Sequence, residues 1–314
     1  MLRLIIDGKK PGSLHYRWSS KLEPIAEVSP GEEFELRIPD SSGGQIGEDW
    51  TTKDIERIDE SRFDGALGPI YVKGASKGDA LEVELLEIRT GAWGWTAILN
   101  DFGVLKGRFP NRLMIWDLNS GQAVSKSDFL KGISVPLRPF LGVVGTAPAE
   151  YEYPMIPPQS FGGNMDNPLL VAGSRLLLPV NVDGALLSFA DPHASQGEGE
   201  VCGTAIETSA EVRAVVRVRH DLKLSYPVAF VPGVPPVGPS LVAMGIACDL
   251  KKALKESLEN LMDLAVAYGL EKEETYVLHS VAGKLSLSEA VDEPNYVVSS
   301  SLPLSLISSR SSQP

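Results

Sequence analysis

The sequence predicts a mainly β protein, with a sandwich or barrel-like core built from non-contiguous segments and a small α/β portion toward the C-terminus. Three observations carry this. Apolar residues alternate with polar ones at period two in several well-separated stretches, as half-buried strands require. Turn punctuation is dense, with 30 Gly and 23 Pro in 314 residues. Helical periodicity, by contrast, is confined to one region near residues 250–282.

Taken in order, the first clear strand follows the Pro30-Gly31 turn, where Phe34, Leu36 and Ile38 alternate with Glu33, Glu35 and Arg37. Leu81, Val83 and Leu85 then alternate with Glu82 and Glu84. The phase shifts at Leu86, which predicts a β-bulge. The third strand places Val212, Ala214, Val216 and Val218 on one face and Arg213, Arg217 and Arg219 on the other. The same alternation, continued, puts His220 on the apolar face as a core histidine.

Asp249 is a good N-cap for a long helix, with Leu250, Leu254, Leu258, Leu261, Ala265 and Tyr268 at helical spacing and Gly269 at its end. A second helix is expected from about Lys272 to Ala282, with His279 as a structural residue. Residues 1–155 thus form an N-terminal β-rich segment. Residues 156–298 add strands and the helices, interleaved with the first, and residues 299–314 are expected to fray as a serine-rich tail.

The composition narrows the function. Lys and Arg total 29 against 41 acids, a formal charge of −12, whereas a phosphate backbone needs a clustered positive face. Nucleic acid is therefore not an expected partner. The longest apolar stretches are broken by Pro179 and Asp183, so no membrane span is expected. Two distant cysteines, Cys202 and Cys248, form no CxxC pair, and the start of the chain shows no signal-peptide pattern. These readings point to a cytoplasmic protein.

One segment concentrates chemistry. Asp191 to Glu207 packs Asp191, His193, Glu198, Glu200, Cys202 and Glu207 among three glycines, between two apolar stretches. Acids and an imidazole in a glycine-rich turn suit metal ligation or general acid–base work. Composition alone leaves a solvated acidic loop open as well. If Asp191-Pro192-His193 is extended, the two ligating side chains point the same way.

The segment resembles the signature of the acetamidase/formamidase family, in which D-x-H-A-x-Q-G-x-G-E-V-C-G-T-A-I-E recurs almost letter for letter. Other stretches are similar to that family in the same order along the chain. They are His15 to Ser19, Asp40 with Gly44-Gln45-Ile46, Gly68 to Val72 with Gly74-Ala75 and Gly78-Asp79, Pro136 to Gly142 with Gly145 to Pro148, Gly162 to Asp166, and Val291-Asp292 with Pro294-Asn295. The resemblance spans about residues 15 to 295. It implies an amidase acting on small linear amides, giving a carboxylate and ammonia.

On that basis a divalent metal, zinc or calcium, is expected on His15, Asp40, Asp191, His193 and Glu207. Glu200 and His193 are the expected catalytic groups, and Gly163 and Asn164 of the G-G-N-M-D motif are candidates for the oxyanion. Cys202, grouped with them, reads as a thiol nucleophile or as packing, with packing favoured because no base is committed to it. The alternatives are a metal-free thiol amidase using Cys202 and a non-catalytic β-sandwich binding module with a structural metal. A small amide is the expected ligand, and a homodimer the expected assembly.

Overall fold

The computed structural model describes residues 4–308. Two large sheets pack face to face. In the nine-stranded sheet the order is Leu4–Asp7, Glu33–Ile38, Ala210–Arg219, Ala80–Thr90, Arg175–Pro179, Val228–Val234, Gly238–Ala247, Tyr296–Pro303 and Lys284–Glu289. Distant segments become neighbours because each strand must find a partner for its backbone N–H and C=O groups. The second sheet has eleven strands, and its middle brings Trp93–Ile98, Ile206–Glu207, Leu187–Ser195, Phe140–Gly145 and Gly162–Asn164 side by side. Neither hydrogen-bonded path closes on itself, so the architecture is an open sandwich and not a barrel.

The core between the sheets follows from period two. Phe34, Leu36, Leu81, Val83, Val212 and Val216 of one sheet meet Leu67, Ile70, Leu141, Leu187 and Phe189 of the other. Each such side chain contributes about 1.5–3 kcal/mol on burial. The bulge expected at Leu86 is present: Arg213 faces Glu87 and Ala214 faces Leu85, so Leu86 has no opposite residue.

The other face of the nine-stranded sheet is covered by the helices Leu250–Val266 and Lys272–Ala282. Asp249 caps the first of them by accepting from Lys252 N at 2.7 Å. The face it buries differs from the leucine stripe. Leu250 is 46% exposed, while Ala253, Ser257, Asn260, Leu261, Leu264 and Ala265 are buried. The reason is a close approach at Gly245, where a Cβ would stand 2.0 Å from Ala253 O. Only small or hydrogen-bonding residues fit there, and Ser257 bonds Ser300 at 2.7 Å while Asn260 reaches Met244 O at 3.2 Å.

Two further expectations are corrected. Ser299 does not begin a fraying tail: Tyr296–Pro303 is a central strand, paired on both sides, with Ser299, Ser300 and Ser301 buried and two of their hydroxyls bonded to other serines. Residues 309–314 of that expected tail lie outside the described residues. His220 lies past the end of its strand at Arg219, so the alternation stops before it. Its ring is exposed and bonds Asp79 at 2.9 Å. No helix among the described residues is long and apolar enough to cross a membrane.

Candidate active site

The second sheet positions the site. Asp191 and His193 lie on the strand Leu187–Ser195, and Glu207 sits directly opposite His193 on Ile206–Glu207. Asp191 is not extended. Its φ is 57°, and this left-handed residue resets the alternation: Phe189 packs between the sheets, while His193 packs edge-on against Phe140 outside that core. The two side chains converge nonetheless, with His193 Nε2 2.9 Å from Asp191 Oδ2. Gly142 on the neighbouring strand makes room. A Cβ there would lie 2.3 Å from Asp166 Oδ1 and 2.4 Å from Asp191 Oδ2.

Four acids of the region, Asp64, Asp166, Asp191 and Glu200, have positive φ, and among the described residues only four other non-glycine residues do. Such conformations cost on the order of 1–3 kcal/mol each and gather where function holds them.

Asp166, Asp191, His193, Glu200 and Glu207 are all buried. Asp166, Asp191 and His193 form one group whose donor atoms could share an ion, and His193, Glu200 and Glu207 form a second. Nε2 of His193 is 3.2 Å from Glu207 Oε2 and 3.9 Å from Glu200 Oε1. Its other nitrogen, Nδ1, lies 2.9 Å from Gln196 Oε1, and Gln196 Nε2 donates to Asp166 O at 2.8 Å. Gln196 therefore presents its carbonyl to the ring, so Nδ1 carries a proton, and Nε2 faces carboxylate oxygens. That arrangement requires a proton or a cation in between.

Electrostatics say the same. Burial raises Asp166 and Asp191 to about 7, with Asp191 adding to the shift at Asp166 and the His193 charge opposing it at both. Glu200 is also pushed well above the carboxylate range, by burial first and by Asp166 second. His193 is raised despite burial, which opposes its charge, because Asp191 and Glu207 outweigh it. Glu207 is lowered against burial by His193 and by hydrogen bonds. Its two oxygens accept from Ser41 Oγ at 2.8 Å and Ala205 N at 2.7 Å.

Asp166, Asp191, Glu200 and Glu207 line a cavity of about 280 Å³. Asp64, Asn164, Asp166, Asp191, Glu200, Glu207 and Asp292 give its polar side, and Phe63, Trp95, Leu99, Phe102 and Ile156 its apolar side. Neither lysine nor arginine is among the lining residues.

The remaining expected site residues lie elsewhere. His15 Nε2 bonds Ser188 Oγ at 2.8 Å, its ring stands edge-on to Trp18, and it joins neither ion-binding group. Asp40 accepts from Trp95 Nε1 at 3.2 Å and from Ser42, which fixes the indole on the cavity wall and the loop that carries Ser41. Gly163 pairs opposite Val144 and does not line the cavity. Cys202 lies outside it too, with Sγ 3.4 Å from Thr204 O. Sequence reasoning missed Asp166, Asp292, Asp64, Gln196 and Ser41. The first two stand in quoted motifs and Gln196 in the signature segment. Asp64, beside Gly65, carries no such signal.

Comparison with known proteins gives the family and the fold. The model of the acetamidase/formamidase family matches residues 7–152 and 150–309. A formamidase of Methylophilus methylotrophus is 27% identical over 334 aligned residues, covering 85% of this chain and 80% of the relative. A recombinant predicted acetamidase/formamidase from Thermoanaerobacter tengcongensis superposes with a TM-score of 0.88 at 28% identity, over 99% of both chains. An acetamidase structure from Bacillus halodurans gives a TM-score of 0.87 at 28% identity, over 98% of this chain and 99% of that one.

Proposed function

Because the chain belongs to the acetamidase/formamidase family, we propose that it hydrolyses small linear amides, of the formamide and acetamide class, to carboxylate and ammonia with a metal-activated water. The observation that carries this reading is the convergence of five buried groups, Asp166, Asp191, His193, Glu200 and Glu207, whose four acids line a cavity that neither lysine nor arginine lines. Buried carboxylates without a counter-charge are costly.

The donor set fits a divalent cation. Both oxygens of Asp166, one oxygen of Asp191 and Nε2 of His193 are buried without a hydrogen bond. Asp166, Asp191, His193 and Glu207 would hold the ion. The imidazole suits zinc, and the excess of carboxylates suits calcium. When bound, such an ion supplies a Lewis acid that polarises the amide carbonyl and acidifies water.

The chain's own residues do the rest. Glu200, on the glycine turn, takes the proton of the water whose oxygen bonds to the carbonyl carbon. As the C–N bond breaks, the same carboxyl returns that proton to the nitrogen, which leaves as ammonia. Gln196 holds the His193 ring in one tautomer, and Ser41 with Ala205 N holds Glu207 still. The apolar wall of Phe63, Trp95, Leu99 and Phe102 limits water and accepts a short acyl group. Cys202 has no part in this scheme.

The test is ammonia release from formamide and acetamide, with elemental analysis of the same protein. About one or two divalent ions per chain are expected, and activity lost on chelation should return with metal. Full activity in metal-free protein would overturn the metal, and no ammonia from any short amide would overturn the amidase. A reducing, cytoplasmic location fits the two free cysteines. A homodimer is the proposed assembly, and exposed apolar side chains such as Tyr276, Val277, Val281 and Leu285 support it.

A further inference from the structure

One polar group in the cavity is left without a task by this scheme. Asn164 ends the short strand Gly162–Asn164, is only 4% exposed, and lines the cavity together with Asp292. Its Nδ2 donates to Asp292 Oδ2 at 2.6 Å, in a buried contact between residues far apart in the chain. Its Oδ1 is buried and has no hydrogen-bond partner among the described residues. The side-chain amide thus turns its nitrogen toward Asp292 and its oxygen away from it. A carbonyl left unpaired in a buried site costs about 1–3 kcal/mol. It is therefore a place made for a donor.

We infer that Asn164 and Asp292 form the subsite that reads the substrate's nitrogen: Asn164 Oδ1 accepts an N–H of the amide NH2 group, and Asp292 holds Asn164 in the orientation that leaves this acceptor free. The inference rests on the amidase reading above and adds a selectivity to it. The sequence pattern suggests Asn164 for the oxyanion, yet an oxyanion needs donors, and the atom that lacks a partner here is an acceptor. The subsite favours primary amides, which bring two N–H donors, over esters of the same size, which bring none. A site built to bond a substrate N–H rejects an analogue without it far more strongly than a site that merely fits its shape. The product carboxylate also lacks a donor for Asn164 Oδ1, so this subsite does not hold it.

The experiment compares acetamide with methyl acetate, the ester followed as substrate or as competitive inhibitor, in the wild type, in Asn164→Ala and in Asp292→Asn. Asn164→Ala should lower kcat/KM for acetamide about tenfold to a hundredfold, while the constants for methyl acetate and the metal content stay as in the wild type. Asp292→Asn keeps the shape but removes the carboxylate that orients Asn164, so the amide-to-ester preference should fall in the same direction by a smaller factor. Should Asn164→Ala not fold, Asp292→Asn carries the same comparison. Equal losses for amide and ester in a folded, metal-loaded variant would show an oxyanion or structural role and overturn the subsite. Wild-type protein that releases no ammonia would instead sink the amidase reading, and the subsite with it.

Discussion

Glu82 and Asp166 are both buried carboxylates, exposed by 4% and 1%, and their surroundings are opposite. Glu82 lies on the outer face of the nine-stranded sheet, within 3.7 Å of Arg175, 3.4 Å of Arg217 and 3.2 Å of Arg219. The ladder continues through Arg217 with Glu84 at 2.6 Å and Arg213 with Glu33 at 2.7 Å. Asp166 has Asp191, Glu200 and Asp292 near it and no hydrogen bond to either oxygen. The same functional group is thus neutralised by guanidiniums in one region and left open in the other. A fold that can build the ladder has no general difficulty in pairing acids. The absence of lysine and arginine from the cavity lining is therefore what supports the cation and polar substrate proposed there.

The largest effects are expected inside the open cluster. Glu200→Gln keeps the shape and removes the proton acceptor, so kcat should drop by about 10²–10⁴ while bound metal stays near the wild-type level. Glu207→Gln, with its oxygens anchored at Ser41 and Ala205, should lose metal together with activity. Measuring metal stoichiometry and kcat for both variants on one amide separates the roles, and the reverse pattern would exchange them.

An intermediate effect isolates burial from carboxylates. His15 is buried beside Ser188 and Trp18, and desolvation lowers it to about 4. The unfolded chain takes up this proton near pH 6.5 and the native chain only near 4. The unfolded state therefore binds more protons between these values, and stability is lost as pH falls through that window, by about 3 kcal/mol in all. In denaturant melts across pH 4 to 7, His15→Gln should flatten that slope. An unchanged slope would show that other groups govern it.

The smallest effect belongs to the ladder. Arg217→Gln leaves Glu82 two other guanidiniums and loosens Glu84 on a half-exposed face. It should cost about 0–1 kcal/mol in a melt and leave kcat unchanged. A larger loss would mean that the buried end of Glu82 depends on Arg217 more than on its other partners, and the contrast between the regions would narrow.

Much of this was legible in the sequence, and where it was not the cause can be named. The Phe34-Leu36-Ile38 alternation, the bulge at Leu86, the Asp249 cap and the Lys272–Ala282 helix follow from interactions that span a few residues. The signature from Asp191 to Glu207 kept four of the five clustered groups on one stretch of chain, and the motif letters gave the family. The letters did not say where side chains point. His15 and Asp40 stand in family motifs, yet one bonds Ser188 and the other holds Trp95.

By itself, then, the sequence determined the strand and helix periods, the caps and turns, the family, and the segment that carries the chemistry, because each is written in contacts between near neighbours along the chain. Only the tertiary structure decided that Asp64, Asp166 and Asp292 join that segment around one cavity, that Gly142 leaves space for two carboxylates, and that Gly245 turns a helix onto its serine and asparagine face. Those outcomes depend on which strands pair and how closely two backbones approach. Both are fixed by packing between residues that lie from about fourteen to more than a hundred positions apart or by steric fit at a single glycine, and no local pattern encodes either.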